Sequence, residues 1–117
     1  AENLAVKLLS RDRSDLEKMG KTILADVKKN HIEMHQLKLV ESKVEAGSGS
    51  LPTEKIPSMA ITFSSSILKP AELSELFRMA SFPILGYIHG NKFRIDLKAI
   101  PDDMAHVCTQ IFNEVLR

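Results

Sequence analysis

The chain has 117 residues, 44% of them hydrophobic and 26% charged, which is enough for one ordinary globular core and cramped for two. Sixteen Lys and Arg nearly cancel fifteen Asp and Glu, so the whole molecule has no field that would draw it to nucleic acid or an anionic membrane; any such binding must be local. A single cysteine, Cys108, excludes an internal disulfide framework and paired-cysteine zinc motifs and fits a reducing cytosol, no apolar run approaches the ~18 residues of a membrane span, and the start Ala1-Glu2-Asn3 lacks the pattern of a leader; the expected setting is cytoplasmic, with no membrane partner.

In chain order, Leu4 to Leu9 is a short apolar stretch that fits extended chain or a first helical turn. Ser14-Asp15-Leu16-Glu17 matches a capping box, with Ser10 an equally plausible cap. Leu16, Met19, Ile23, Leu24 and Val27 then repeat at helical spacing until Lys28-Lys29-Asn30 supplies a stop. From His31 to Glu45 the apolar residues alternate with a change of phase, Ile32 and Met34 on one face and Leu37 and Leu39 on the other. That predicts a bulge or two short strands.

Gly47-Ser48-Gly49-Ser50-Leu51-Pro52, continuing through Ile56-Pro57-Ser58, is the most distinctive stretch. Glycine permits positive φ and proline restricts itself and its predecessor, so the grammar is that of a shaped loop between two strands. A plain strand connection is the competing reading. Met59, Ile61 and Phe63 predict a strand with one buried face, and Pro70 opens a helix with Leu73, Leu76, Phe77 and Ala80 as its stripe. Two β-favouring runs, Ile84 to His89 and Lys92 to Leu97, flank Gly90-Asn91 and predict a hairpin with a type II′ turn. Pro101-Asp102-Asp103 opens a last helix carrying Met104, Val107, Cys108, Ile111, Val115 and Leu116. The order α-β-β-α-β-β-α predicts an α+β two-layer sandwich: a mainly antiparallel four-stranded sheet with helices on one face.

Chemistry is harder to find than fold. No metal-binding spacing links the four histidines, and His31 and His35 on one strand face would lie about 13 Å apart, too far to chelate one ion. His106 and Cys108 point in different directions on a helix, so Cys108 reads as core. The Gly47 to Ser50 run is no P-loop, although its amides could form an anion nest. Arg78, Lys69, Lys92, Arg94 and Lys98 offer cations for phosphate or carboxylate, or simply a charged surface. By themselves these residues fit a free-standing α+β binding module as well as part of an enzyme.

A resemblance adds to this. Gly47-Ser48-Gly49-Ser50-Leu51-Pro52 resembles the Gly-Gly-Gly-Ser-Leu-Pro run of the bacterial selenocysteine synthases, the L-seryl-tRNA(Sec) selenium transferases, among the fold-type I pyridoxal-phosphate enzymes. Phe77-Arg78 and Pro83-Ile84-Leu85-Gly86 resemble that family's Leu-Arg and Pro-Val-Ile-Gly, and Ile95-Asp96-Leu97 its Leu-Asp-Leu. Tyr87 and Lys98 stand where the family shows arginine, and Ser48 where it shows glycine. The resemblance implies that residues 1–117 form one C-terminal small domain of a larger enzyme whose large domain carries pyridoxal phosphate on a lysine. The intact protein would convert seryl-tRNA to selenocysteinyl-tRNA through an aminoacrylate, as a homo-oligomer that takes tRNA as partner. A related lyase or transferase acting on a free amino acid is the alternative. The segment itself would bind no cofactor, supply no catalytic residue and be inactive alone. It would present Gly47, Ser48, Gly49, Ser50, Leu51 and Pro52 to the substrate, with Arg78 and Lys98 as anion contacts.

Overall fold

Alternation in β2 puts Met59, Ile61 and Phe63 on one side of the sheet, and the apolar stripes of three helices close over them. The structure, a computed structural model, describes residues 11–46 and 54–116. In order these form α1 (Arg13–Ala25), α2 (Lys29–Met34), β1 (Lys38–Ala46), β2 (Glu54–Phe63), α3 (Pro70–Arg78), β3 (Tyr87–His89), β4 (Lys92–Asp96) and α4 (Ala105–Val115). Short 3-10 turns at Leu97–Ala99 and Asp102–Met104 lead into α4. All pairings are antiparallel and the strand order is β1-β2-β4-β3, so the two hairpins meet along β2 and β4. This is the expected α+β sandwich.

Four of the five phenylalanines weld the layers. Phe63 from β2, Phe93 from β4, Phe77 from α3 and Phe112 from α4 are fully buried, and five of their ring pairs have centroids 5.2–5.6 Å apart. Each such pair is worth about 0.5–1.5 kcal/mol beyond simple burial. α1 lies across β1 and β2 through Leu16, Met19 and Ile23, and Gly20 lets it approach closely: a Cβ there would strike the side chain of Leu39.

Several local expectations are corrected. The first helix is capped by Asp12, not by Ser14 or Ser10; Asp12 accepts from Asp15 N–H at 2.8 Å while Asp15 accepts from Asp12 N–H at 3.4 Å. Residues 31–34 are helical rather than extended. The change of phase marks a helix-to-strand switch, made at Gln36 with φ +46°, and Leu37 N–H closes the turn onto Ile32 O at 3.0 Å. Strand β2 begins five residues earlier than Met59 and tolerates Pro57, because β4 flanks only residues 60–63 and β2 has an open side at that level. The tight turn is type I′, not II′: both Gly90 (φ +58°) and Asn91 (φ +60°) are left-handed, and asparagine is among the residues that tolerate this.

Gly86 and Gly90 need glycine for different reasons. A Cβ at Gly86 would collide with the backbone oxygen of Arg94 and the ring of Phe93, whereas one at Gly90 meets only open space. Gly86→Ala is therefore expected to destabilise by about 2–3 kcal/mol through overpacking. Gly90→Ala should cost about 1 kcal/mol, from backbone strain alone. Urea denaturation midpoints of the two variants check the order.

Candidate functional site

The ladder between β1 and β2 runs for nine residue pairs, but β4 accompanies it only as far as Ala60, opposite Asp96. Beyond that level the hairpin continues alone as a two-stranded ribbon. Its root is clamped from both sides. Asp96, which ends β4, accepts from the hydroxyls of Ser58 (2.5 Å) and Ser42 (2.7 Å) and from Lys98 N–H (3.1 Å). Arg13, in the first turn of α1, donates to the backbone oxygens of the same two serines, at 3.0 Å and 2.8 Å, and pairs with Glu41 at 3.0 Å. Ser42 and Ser58 face each other in the ladder. One carboxylate and one guanidinium thus hold both strands where the ribbon leaves the sheet.

A second cation braces the clamp from below. Arg11 is buried and donates to the carbonyls of Ile100 (2.7 Å), Lys98 (2.9 Å) and Leu97 (3.3 Å) and to Asp102 (2.8 Å). It satisfies the 3-10 turn that follows β4. The ammonium of Lys98, also buried, donates to the Arg11 carbonyl. Burial holds the Lys98 amine below its ordinary pKa and neighbouring Arg11 adds to the shift, while Asp96 and Asp12 oppose it.

The Gly47, Ser48, Gly49, Ser50, Leu51, Pro52 loop lies outside the described residues. The ribbon that leads to it is described as far as Ala46 and Glu54, four ladder steps past the Ser42/Ser58 clamp, or about 14 Å at strand rise. Of the two anion candidates, Lys98 faces inward into the clamp and Arg78 is exposed in the last turn of α3, where a cation faces the carbonyl end of the helix dipole. The structure places them in different neighbourhoods. Tyr87 is paired across the ladder with Arg94, which hydrogen-bonds its phenol; burial and Asp96 push the phenol up, and Arg94 pulls the other way. Burial also pushes the Cys108 thiol up to about 11, so it stays protonated at neutral pH.

At the opposite end of β2, about 30 Å from the loop end by strand rise, an open groove of about 860 Å³ runs between Ser64–Leu73 and the turn at Gly90-Asn91-Lys92. One shoulder is the pair His35 and Ser65. Ser65 Oγ accepts from Ile67 N–H (3.2 Å) and Leu68 N–H (3.0 Å) and lies 2.8 Å from His35 Nδ1. With two donors already on Oγ, its own hydrogen belongs to Nδ1, which assigns the ring proton to Nε2. His31, expected about 13 Å away on a strand, is one helical turn off with ring centroids 6.5 Å apart. Even so, among the described residues no group of three His, Cys, Asp or Glu could hold a metal ion.

The described residues do not fit pyridoxal phosphate. A covalent site needs a lysine amine opening into a cavity that also grips the ring. Lys98 is turned onto a backbone carbonyl, and Lys69 and Lys92 border an open groove whose only aromatic lining residue, Phe63, is buried in the core.

The arginines Arg11 and Arg13 and the acceptor Asp96 were legible as residues but not as a cluster, because their contacts span 29 to 91 positions. The only local trace was the repeated small-polar position in two neighbouring strands.

Comparison with known proteins points the same way as the motifs. The family described as L-seryl-tRNA selenium transferase matches residues 2–101. The L-seryl-tRNA(Sec) selenium transferase of Campylobacter concisus is 32% identical over 109 residues, covering 92% of this chain and 22% of that protein. The Escherichia fergusonii enzyme of the same name is 27% identical over 101 residues, 84% of this chain and again 22% of the relative. That of Haemophilus influenzae reaches 37% over 68 residues, 57% of this chain and 15% of its own length. The chain therefore spans about a fifth of the length of these relatives.

Two tests follow from the site. Asp96→Ala strands the Ser58 hydroxyl and Lys98 N–H in a buried place, and is expected to cost about 3 kcal/mol in urea denaturation. Asp96→Asn keeps one acceptor oxygen and should cost about half as much. Burial, aided by Lys28 for His31 and by His31 for His35, lowers both imidazole pKa values below the unfolded value of 6.5. Below pH 6.5 the unfolded chain binds more protons than the native one, so stability present above that pH is lost as pH falls through the lower native values. The denaturation midpoint should fall between pH ~7.5 and ~5.5, and His35→Gln should narrow that difference.

Proposed function

Because the chain belongs to the L-seryl-tRNA selenium transferase family, we propose that it is the small C-terminal domain of a larger pyridoxal-phosphate-dependent enzyme that converts seryl-tRNA to selenocysteinyl-tRNA. The observation that carries this reading is the family match over residues 2–101 by relatives of which this chain makes up about a fifth. Pyridoxal phosphate supplies the electron sink for exchange of the seryl hydroxyl. The residues described here do not hold that cofactor, so the remainder of the family chain does, and residues 1–117 alone are inactive.

The part this domain plays is to aim a loop. The root clamp of Asp96 and Arg13 fixes the direction of the ribbon, and the ribbon delivers Gly47 to Pro52 at a set reach toward the substrate entrance. Ser50 and the loop amides would meet anionic groups of the tRNA or of the selenium donor. A stiff support matters here because a small misplacement of a positioning group costs rate far out of proportion to its size. The working setting is the cytoplasm, the assembly a homo-oligomer, and tRNA the macromolecular partner.

The full-length protein is expected to show the visible absorbance of a pyridoxal-phosphate Schiff base and to convert seryl-tRNA with selenophosphate. Gly49→Ala with Ser50→Ala should lower that conversion about tenfold, a loss of about 1.4 kcal/mol of transition-state stabilisation, and leave the absorbance unchanged. Absorbance without conversion would remove the selenium assignment and favour a free amino acid as substrate. Absence of the cofactor would sink the enzyme reading and leave a binding module.

A further inference from the structure

Eight large hydrophobic side chains stand exposed among the described residues, and six of them fall between positions 76 and 88: Leu76, Met79, Phe82, Leu85, Tyr87 and Ile88. Met79 and Leu85 are 74% and 72% exposed. Scattered exposed hydrophobics need no explanation, but a contiguous set marks an interaction surface. These residues are joined through shared depressions. Leu76 and Met79 line one with Leu68, and Leu68 also lines the groove that holds Ile88. Phe82 and Leu85 border a pocket of about 250 Å³ whose nine lining residues are all nonpolar, with Ile100, Met104 and Cys108 in its walls. Beside them β3 is an edge strand, all three of its residues exposed.

We propose that this surface, from the last turn of α3 through β3, docks on the larger remainder of the family chain. The inference rests on the reading in the preceding subsection and adds to it the face of contact. More than three-quarters of the length of the relatives lies outside the region matched by this chain, so a body large enough to cover the patch travels with the domain. The other described outer surfaces do not invite an apolar partner: α1 turns Glu17, Lys18 and Lys21 outward, and the ribbon presents Glu41, Lys43, Glu45 and Lys55. A second copy of this domain fits the patch less well. A three-residue edge gives too short a ladder for pairing between sheets, and the apolar side chains wrap from a helix end into a groove instead of forming one flat strand face.

Photo-crosslinking tests this in the full-length protein. A benzoylphenylalanine probe replaces Leu85 in one preparation and the exposed Glu33 of α2 in another, each mixed with isotope-labelled protein so that links within and between copies are told apart. The probe at 85 is expected to capture peptides outside residues 1–117, in the same or a neighbouring copy, in severalfold higher yield than the probe at 33. Equal yields, or links from 85 mainly to residues 76–88 of another copy, overturn the proposal. As a second readout, Leu85→Asp should speed amide hydrogen exchange across 76–88 in the full-length protein, and an unchanged rate counts against docking. A protein that makes selenocysteinyl-tRNA without the crosslink sinks the docking face alone. A crosslinked protein without that activity sinks the function and leaves the docking face standing.

Discussion

A single carboxylate decides how the two hairpins of this sheet are held to each other at the point where one of them leaves. Asp96 ends β4 and takes hydrogen bonds from Ser42 of β1, Ser58 of β2 and the backbone of Lys98, so three strands and a turn share one buried acceptor. A buried charge is tolerated only when its lone pairs are used and opposite charge lies near. Here the hydroxyls and the peptide N–H supply the bonds, and Lys98, itself drawn inward to Arg11, supplies the charge. Removing any partner leaves another unsatisfied, which is why the cluster acts as a unit.

What the clamp supports is leverage. An unaccompanied two-stranded ribbon is a weak structure, free to twist and bend. Arg13 and Asp96 grip the same pair of serines by their carbonyls and by their hydroxyls, so the ribbon starts from a fixed direction even though β4 no longer runs beside it. Below, the four phenylalanine rings hold β2 and β4 against α3 and α4. The core thus anchors the sheet, the sheet anchors the clamp, and the clamp anchors the ribbon. A loop so mounted suits a positioning role better than a catalytic one, in keeping with a domain that is about a fifth of its relatives.

The family motifs gain physical meaning from these contacts. Ile95-Asp96-Leu97 puts the clamp acceptor between two core side chains. Pro83-Ile84-Leu85-Gly86 seats Ile84 in the core, leaves Leu85 outward, and needs Gly86 where the chain passes against β4. Part of what the motifs preserve is therefore architecture. Tyr87 in turn engages Arg94 of the neighbouring strand, so a cation does lie beside that position although it belongs to another residue.

Sequence alone determined the elements whose signals are local: the stripe of α1, the buried alternation at Met59, Ile61 and Phe63, the helix opened by Pro70, the hairpin around Gly90-Asn91, and through its motifs the family. These are readable because a helix repeats at 3.6 residues, a strand at two, and turns need particular backbone angles. It misread residues 31–34 because a two-turn segment is too short for its period to separate helix from strand. Only the tertiary structure decided that Arg11, Arg13, Ser42, Ser58, Asp96 and Lys98 form one cluster, that Lys98 faces inward, and that Leu76 to Ile88 gathers the exposed apolar surface. Each of those facts depends on which distant segments meet, and chain proximity carries no record of that.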